Sequence, residues 1–217
     1  MTNHPLDLQR SNPFCAARLQ PGTIDFVFEQ GKSLEQLVDV LQSNAWQGQI
    51  TGGHGTGKST LLAALTPAIE GRGRFVQSIT LVAGQRHLPR DFFAALRFSA
   101  GLGVAAVDGV EQLHFWSRLF LKRFCQTQGV GLVVASHRSA HLPTLYETAL
   151  DEPRAWNVVQ RLQNGFPPRI EFGDLAARLA RRQGNLREAL FDLYDLYEER
   201  NSHPPFPLVA NCNLDLR

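Results

Sequence analysis

The nine residues Gly52-Gly53-His54-Gly55-Thr56-Gly57-Lys58-Ser59-Thr60 constrain the fold of this 217-residue chain more than any other segment. Gly52, Gly57, Lys58 and Ser59 fill the spacing G-x-x-x-x-G-K-[ST], and each part has its own physical task. Glycines let the main chain curl until successive N–H groups converge on phosphate oxygens. The lysine adds a point charge, the serine hydroxyl can coordinate a divalent cation, and a helix starting there turns its positive end to the anion. The flanks agree, because Gln49–Thr51 reads as a short strand and Leu61-Leu62-Ala63-Ala64-Leu65 lies in a helix expected over Ser59–Ala68. All of residues 52–60 are therefore candidate phosphate-binding residues. His54 and Thr56 stand at variable positions of the loop, and no catalytic role is expected for His54.

Further short apolar segments, Phe75–Val82, Val104–Val107 and Gly131–Ala135, read as strands. Two of them are almost wholly apolar with no period of two, as strands covered on both faces are. Helical periodicity falls between or after them, at Arg90–Phe98 and Gln112–Thr127. Strands alternating with helices imply a parallel sheet with right-handed crossovers. The expected fold class is thus α/β, a doubly wound parallel sheet in three α/β/α layers.

Organisation along the chain follows. Residues 1–22 hold three prolines and no sustained period, an extended N-terminal arm. Thr23–Phe28 alternates Ile24, Phe26 and Phe28 with polar or smaller residues and reads as a half-buried strand. Phe26 and Phe28 could flank a base, although two aromatics on one strand face usually belong to a core. Ser33-Leu34-Glu35-Gln36 has the spacing of a capping box, opening a helix over Ser33–Gln42. The nucleotide-binding core is expected over 23–150, ending in loops around Leu142–Asp151. A smaller helical unit over 151–200 follows, with helices at Pro153–Gln163, Asp174–Gln183 (capped by Asp174) and Asn185–Arg200, the last two meeting at Gly184. Residues 201–217 read as a tail.

Composition removes other classes. The net charge of +2 is too near neutral to argue for nucleic acid or a membrane surface. The longest apolar runs are far short of the roughly 20 residues of a spanning helix, and the N-terminus lacks the features of a secretory signal. Cys15, Cys125 and Cys212 are odd in number and far apart, so neither a disulfide framework nor a metal cluster is suggested. A cytoplasmic protein is the expectation.

A phosphate-binding loop of this kind calls for an acid at the end of another buried strand, on the side of the metal. Val104-Ala105-Ala106-Val107-Asp108 provides it, leaving room for the Phe75–Val82 strand between the two motifs. The pairing resembles the Walker A and Walker B motifs of P-loop NTPases, and the intervening strand resembles the AAA+ and related signal-transducing ATPases. The resemblance implies ATP and Mg²⁺ as cofactors, with Ser59 and Asp108 on the metal side and Lys58 on the β- and γ-phosphates. That division places a glutamate directly after the Walker B aspartate; here Gly109 stands there, and the nearest carboxylate is Glu111. Glu111 is accordingly the candidate for orienting the attacking water. The resemblance also assigns a γ-phosphate sensor to the polar end of the Gly131–Ala135 strand, where Ser136 is the first candidate and His137 the second. Gly184-Asn185-Leu186-Arg187-Glu188 resembles a segment of the helical lid of some AAA+ proteins, which puts Arg187 over the terminal phosphates.

These readings imply Mg-dependent ATP binding and hydrolysis coupled to a protein partner or to self-assembly. Arg72, Arg74, Arg138 and Arg154 are all conceivable as an arginine offered to a neighbouring copy. Two alternatives stay open: a nucleotide-binding interaction module with little hydrolysis, motivated by Gly109, and a small-molecule kinase, for which Gln85–Arg90 would be the mobile basic segment. No N-K-x-D segment reads guanine, no L-S-G-G-Q-like segment is present, and no basic stripe or aromatic strand surface suggests nucleic acid.

Overall fold

The computed structural model describes residues 12–99 and 101–202. Five strands form one sheet: β1 (Gln47–Gly52), β2 (Phe75–Thr80), β3 (Gly103–Asp108), β4 (Gly131–Ser136) and β5 (Thr144–Thr148). Every pairing is parallel, in the order β2-β3-β4-β1-β5. Helix α1 (Leu34–Ser43) precedes the sheet, and α2 (Lys58–Glu70), α3 (Arg90–Phe98) and α4 (Phe115–Gln128) connect its strands. This is the α/β fold expected, an all-parallel sheet with helices on both faces.

The central strands show why their sequences lack a period of two. Along β3, Val104 and Ala106 join the core under α1 and α2, with Leu37, Leu41, Leu61 and Leu65. Ala105 and Val107 point the other way, into the core under α3 and α4 with Phe92, Leu96, Leu121 and Phe124. Both phases of the pleat are apolar because both faces are covered.

Helix α1 begins as its capping box predicts. The Gln36 amide donates to Ser33 Oγ at 3.3 Å, and the Ser33 amide donates to Gln36 Oε1 at 3.0 Å. Several expectations need correction. Thr23–Phe28 forms no strand; it begins in a turn, where the Thr23 amide donates to the Gln20 carbonyl at 3.1 Å, with one isolated bridge at Ile24, and the alternation is satisfied by packing, with Phe26 and Phe28 edge-on to Tyr146 at 5.6 and 6.0 Å. The loops expected around Leu142–Asp151 contain β5, an edge strand with few apolar side chains. The helix expected at Gln112–Thr127 is split: a 3₁₀ turn at Val110–Gln112 precedes α4, which starts at Phe115.

The C-terminal helices α5 (Glu152–Gln163), α6 (Phe172–Arg181) and α7 (Leu186–Ser202) surround a separate core containing Ala155, Val159, Leu175, Leu179, Leu190 and Leu193. Helix α6 starts two residues earlier than expected, and Asp174 serves it from within the first turn, accepting the Glu171 amide at 2.9 Å. Part of the expected arm belongs to this unit. Residues 12–20 fold into turns, Phe14 is fully buried against Tyr197, and Asn12 Nδ2 donates to the Tyr194 carbonyl at 3.1 Å. Residues 1–11 of the arm, most of the tail, and Cys212 lie outside the described residues; Cys15 and Cys125 are free and buried. Among the described residues no helix is long and apolar enough to cross a membrane.

Candidate functional site

Parallel sheets open their ligand crevice at the carboxyl ends of the strands, where the strand order reverses. Here the chain leaves β1 for β2 on one side, and returns from β4 across β1 to β5 on the other. A cavity of about 610 Å³ lies at that end, within the size range of small-molecule sites. Its wall contains His54 to Thr60 from the loop after β1 and the first turn of α2, Asp108 at the end of β3 and Glu111 beyond it, His137 after β4, and Arg187 from the first turn of α7.

The loop has the backbone its glycines allow. Gly57 (φ +96°) and Gly55 (φ +69°) occupy the left-handed region, where a side chain is strained. A Cβ at Gly55 would collide with the Asn185 side chain, so the loop and the start of α7 are in direct apposition. Asn185 in turn accepts the Glu188 amide at 3.3 Å and so caps α7. Thr56 and Thr148 hydroxyls share a hydrogen bond of 2.6 Å, which ties the loop to β5. No side chain caps the start of α2 at Gly57, so its first amides are left for an external acceptor.

Lys58 is buried and its ammonium group turns back onto its own loop. It donates to the Gly52 carbonyl at 3.0 Å, to the Gly53 carbonyl, and to His137 Nδ1 at 3.1 Å. Burial pulls its pKa below the usual lysine value, against the opposing charges of Glu111 and Asp108.

Gly109 explains why no glutamate follows Asp108. Its φ of +75° is left-handed, its amide donates to the Ala135 carbonyl at 2.9 Å, and a Cβ there would approach the Leu81 carbonyl oxygen to 3.1 Å. The turn it makes passes into the 3₁₀ segment, which brings Glu111 into the cavity wall. Glu111 Oε1 lies 3.5 Å from His137 Nε2, while its Oε2 is buried with no hydrogen-bond partner among the described residues. An orphaned carboxylate oxygen in the same cavity wall as Lys58 and Asp108 suits a site that receives a hydrated cation.

The two sensor candidates, Ser136 and His137, stand differently to the cavity. Ser136 is buried, contributes nothing to the cavity wall, and donates to the Arg138 carbonyl. From the end of β4 the cavity is lined by Ala135 and His137, and the His137 ring lies tilted over His54 with ring centroids 3.5 Å apart. Burial, the Lys58 ammonium and His54 hold the His137 pKa below the usual value, against Glu111 and the Gly52 carbonyl.

The four arginines separate by position. Arg72 pairs with Asp39 and Arg74 donates to the Gly101 carbonyl, both at the amino ends of the strands, away from the cavity. Arg138 is exposed. Arg154 lies in the wall of this chain's own cavity, paired with Asp151 at 3.0 Å and Glu29 at 3.2 Å. Gln85–Arg90 contributes no residue to that wall. Asn185, Arg154 and His137 are the participants that sequence reasoning placed least well.

No family model and no curated protein sequence matches the chain. Solved structures do. A DNA replication initiation factor aligns over 81% of this chain and 63% of its own, at 17% identity and a TM-score of 0.56. AMPPCP-bound DnaA from Aquifex aeolicus aligns over 86% and 68%, at 16% identity and 0.55. A RuvB mutant from Thermotoga maritima aligns over 78% and 62%, at 16% identity and 0.53. The chain thus spans roughly two thirds of these proteins' length. They are AAA+ P-loop ATPases, and the fold of this chain is theirs: the α/β P-loop NTPase fold.

Proposed function

We propose that this protein binds Mg–ATP and hydrolyses it, coupling the nucleotide state to a protein partner or to a second copy of itself. The observation that carries this reading is convergence. One cavity at the carboxyl edge of the sheet gathers a curled glycine loop, an uncapped helix start, a buried lysine and two carboxylates, one ending β3 and one in the 3₁₀ turn after it. Those groups match what phosphoryl transfer to water requires, which is positioning and charge neutralisation more than covalent chemistry.

In this reading the amides of residues 53–59 hold the phosphates and Lys58 exchanges its loop carbonyls for phosphoryl oxygens. Ser59 and Asp108 would hold Mg²⁺, which when bound neutralises charge on the β- and γ-phosphoryl groups. Glu111 orients the attacking water through its unpartnered Oε2. His137 replaces Ser136 as the side chain facing the terminal phosphate, and Arg187 closes over the phosphates from α7. The C-terminal helices then act as a lid, held to the loop through Asn185 and Gly55. The kinase reading loses its support, because the basic segment it needs stands outside the cavity wall.

The test is phosphate release from Mg–ATP without an added acceptor, across a range of protein concentrations. Wild type is expected to turn over, with a steeper than linear rise if copies complete each other's sites. Glu111→Gln is expected to lower turnover about 10²-fold or more, the usual contribution of a positioned acid–base group, while keeping ATP binding. Full turnover in Glu111→Gln overturns its assignment.

A further inference from the structure

The chain's balance of charge conceals a segregation. In residues 81–99 and 113–128, which build the layer of α3 and α4, there are six basic residues (Arg86, Arg90, Arg97, Arg118, Lys122, Arg123) and one acid, Asp91. Helix α4 itself has no acid. On the same layer, Phe115, Trp116, Leu119 and Phe120 stand between 47% and 74% exposed. At 100° per residue they occupy one arc over the first two turns of α4, with Arg123 continuing it and Arg118 and Lys122 beside it.

The crease between α3 and α4 is already filled. Phe93 stacks edge-on against Phe120 at 5.2 Å and Phe124 at 5.0 Å, and the Arg97 guanidinium lies 5.6 Å from the Phe124 ring centre. A helical peptide needs a groove for its apolar face, and this crease offers none. What projects is a ridge of aromatic tips, with Phe115 packed edge-on against Trp116 at 5.3 Å. A ridge of Trp, Phe and Leu bordered by Arg and Lys suits a deformable apolar layer under an anionic surface.

We propose that the amino-terminal half of α4 is a membrane-surface contact that seats Phe115, Trp116, Leu119 and Phe120 in the interface of an anionic bilayer, with Arg118 and Arg123 on the headgroups. The contact is peripheral and requires no spanning segment. It stands apart from the nucleotide reading and is measured without nucleotide.

The experiment uses the full chain and large unilamellar vesicles of phosphatidylcholine, alone or with about 30% phosphatidylglycerol. Wild type is expected to co-sediment with the anionic vesicles, to release at about 0.5 M salt, and to show a blue shift of Trp fluorescence that Trp116→Phe removes. Phe115→Ser with Trp116→Ser is expected to lower partitioning at least about tenfold, and Arg118→Glu or Arg123→Glu about fivefold or more each, with far-ultraviolet circular dichroism unchanged. Equal partitioning to neutral and anionic vesicles, or undiminished binding in the serine variant, overturns the proposal. So does an absence of vesicle binding together with a dimer that the serine variant dissolves, which assigns the ridge to a second copy.

Discussion

His137 Nε2 lies 3.5 Å from Glu111 Oε1, and the same ring's Nδ1 lies 3.1 Å from the ammonium group of Lys58. A lysine ammonium can only donate, so Nδ1 accepts and the ring proton resides on Nε2, directed at the carboxylate. One imidazole therefore links the two charged groups on which the proposed chemistry depends. Nδ1 also lies 3.2 Å from the Gly52 carbonyl, which can accept a hydrogen bond only from a protonated Nδ1.

That arrangement has a pH dependence whose sign is fixed. The folded pKa of His137 is below its ordinary value of 6.5, chiefly through burial and then through Lys58 and His54. Between the folded and ordinary values the unfolded chain binds more protons than the native one, so the native state loses stability as pH falls through that window and recovers it above. Denaturation measured at several pH values between about 5 and 8 is expected to show this slope in wild type, and a shallower one in His137→Gln.

Gly109 is expected to refuse replacement. Its left-handed backbone and the nearby Leu81 carbonyl predict a loss of about 1–2 kcal/mol for Gly109→Ala in chemical denaturation. Gly109→Glu, which restores an acid directly after Asp108, is expected to destabilise similarly and to leave the turnover of a Glu111→Gln background unrescued. Recovery of turnover in that double variant contradicts the role given to the turn.

Gly55→Ala is expected to push Asn185 away from the loop, since the added methyl occupies its side-chain position. ATP affinity, measured by calorimetry, is expected to fall about tenfold or more from the loop strain and the displaced α7 start. Asn185→Ala, which loses the cap and the contact with Gly55 without straining the loop, is expected to lower stability by about 1 kcal/mol with a smaller effect on affinity.

Much of this architecture was legible because it is written in strong local signals. The glycine spacing, the capping box at Ser33 and the two fully apolar central strands each have one cheap structural interpretation. Other features were not. A strand covered on both faces carries no polar phase, so its sequence cannot say whether Ala135 or Ser136 turns toward the cavity, and His137, one residue past the strand, has no strand alternation to place it. Strand β5 buries Tyr146 and Thr148 among polar neighbours, too few apolar positions to distinguish it from a loop. Asn12 and Phe14 join the core of helices α5 to α7 from the far end of the chain, a long-range pairing with no local period. Glu111 was found by proximity to Asp108, but the reason it can serve, the left-handed turn at Gly109, lies in backbone geometry.

The central claim is that Lys58 and the amides around it grip a triphosphate. Calorimetric titration of wild type and Lys58→Ala with Mg–ATP tests it most directly. Saturable one-to-one binding in wild type, weakened about a hundredfold by removing the ammonium group from its buried polar contacts, is the predicted result. Equal affinity in the two proteins, or no binding to wild type, contradicts the account.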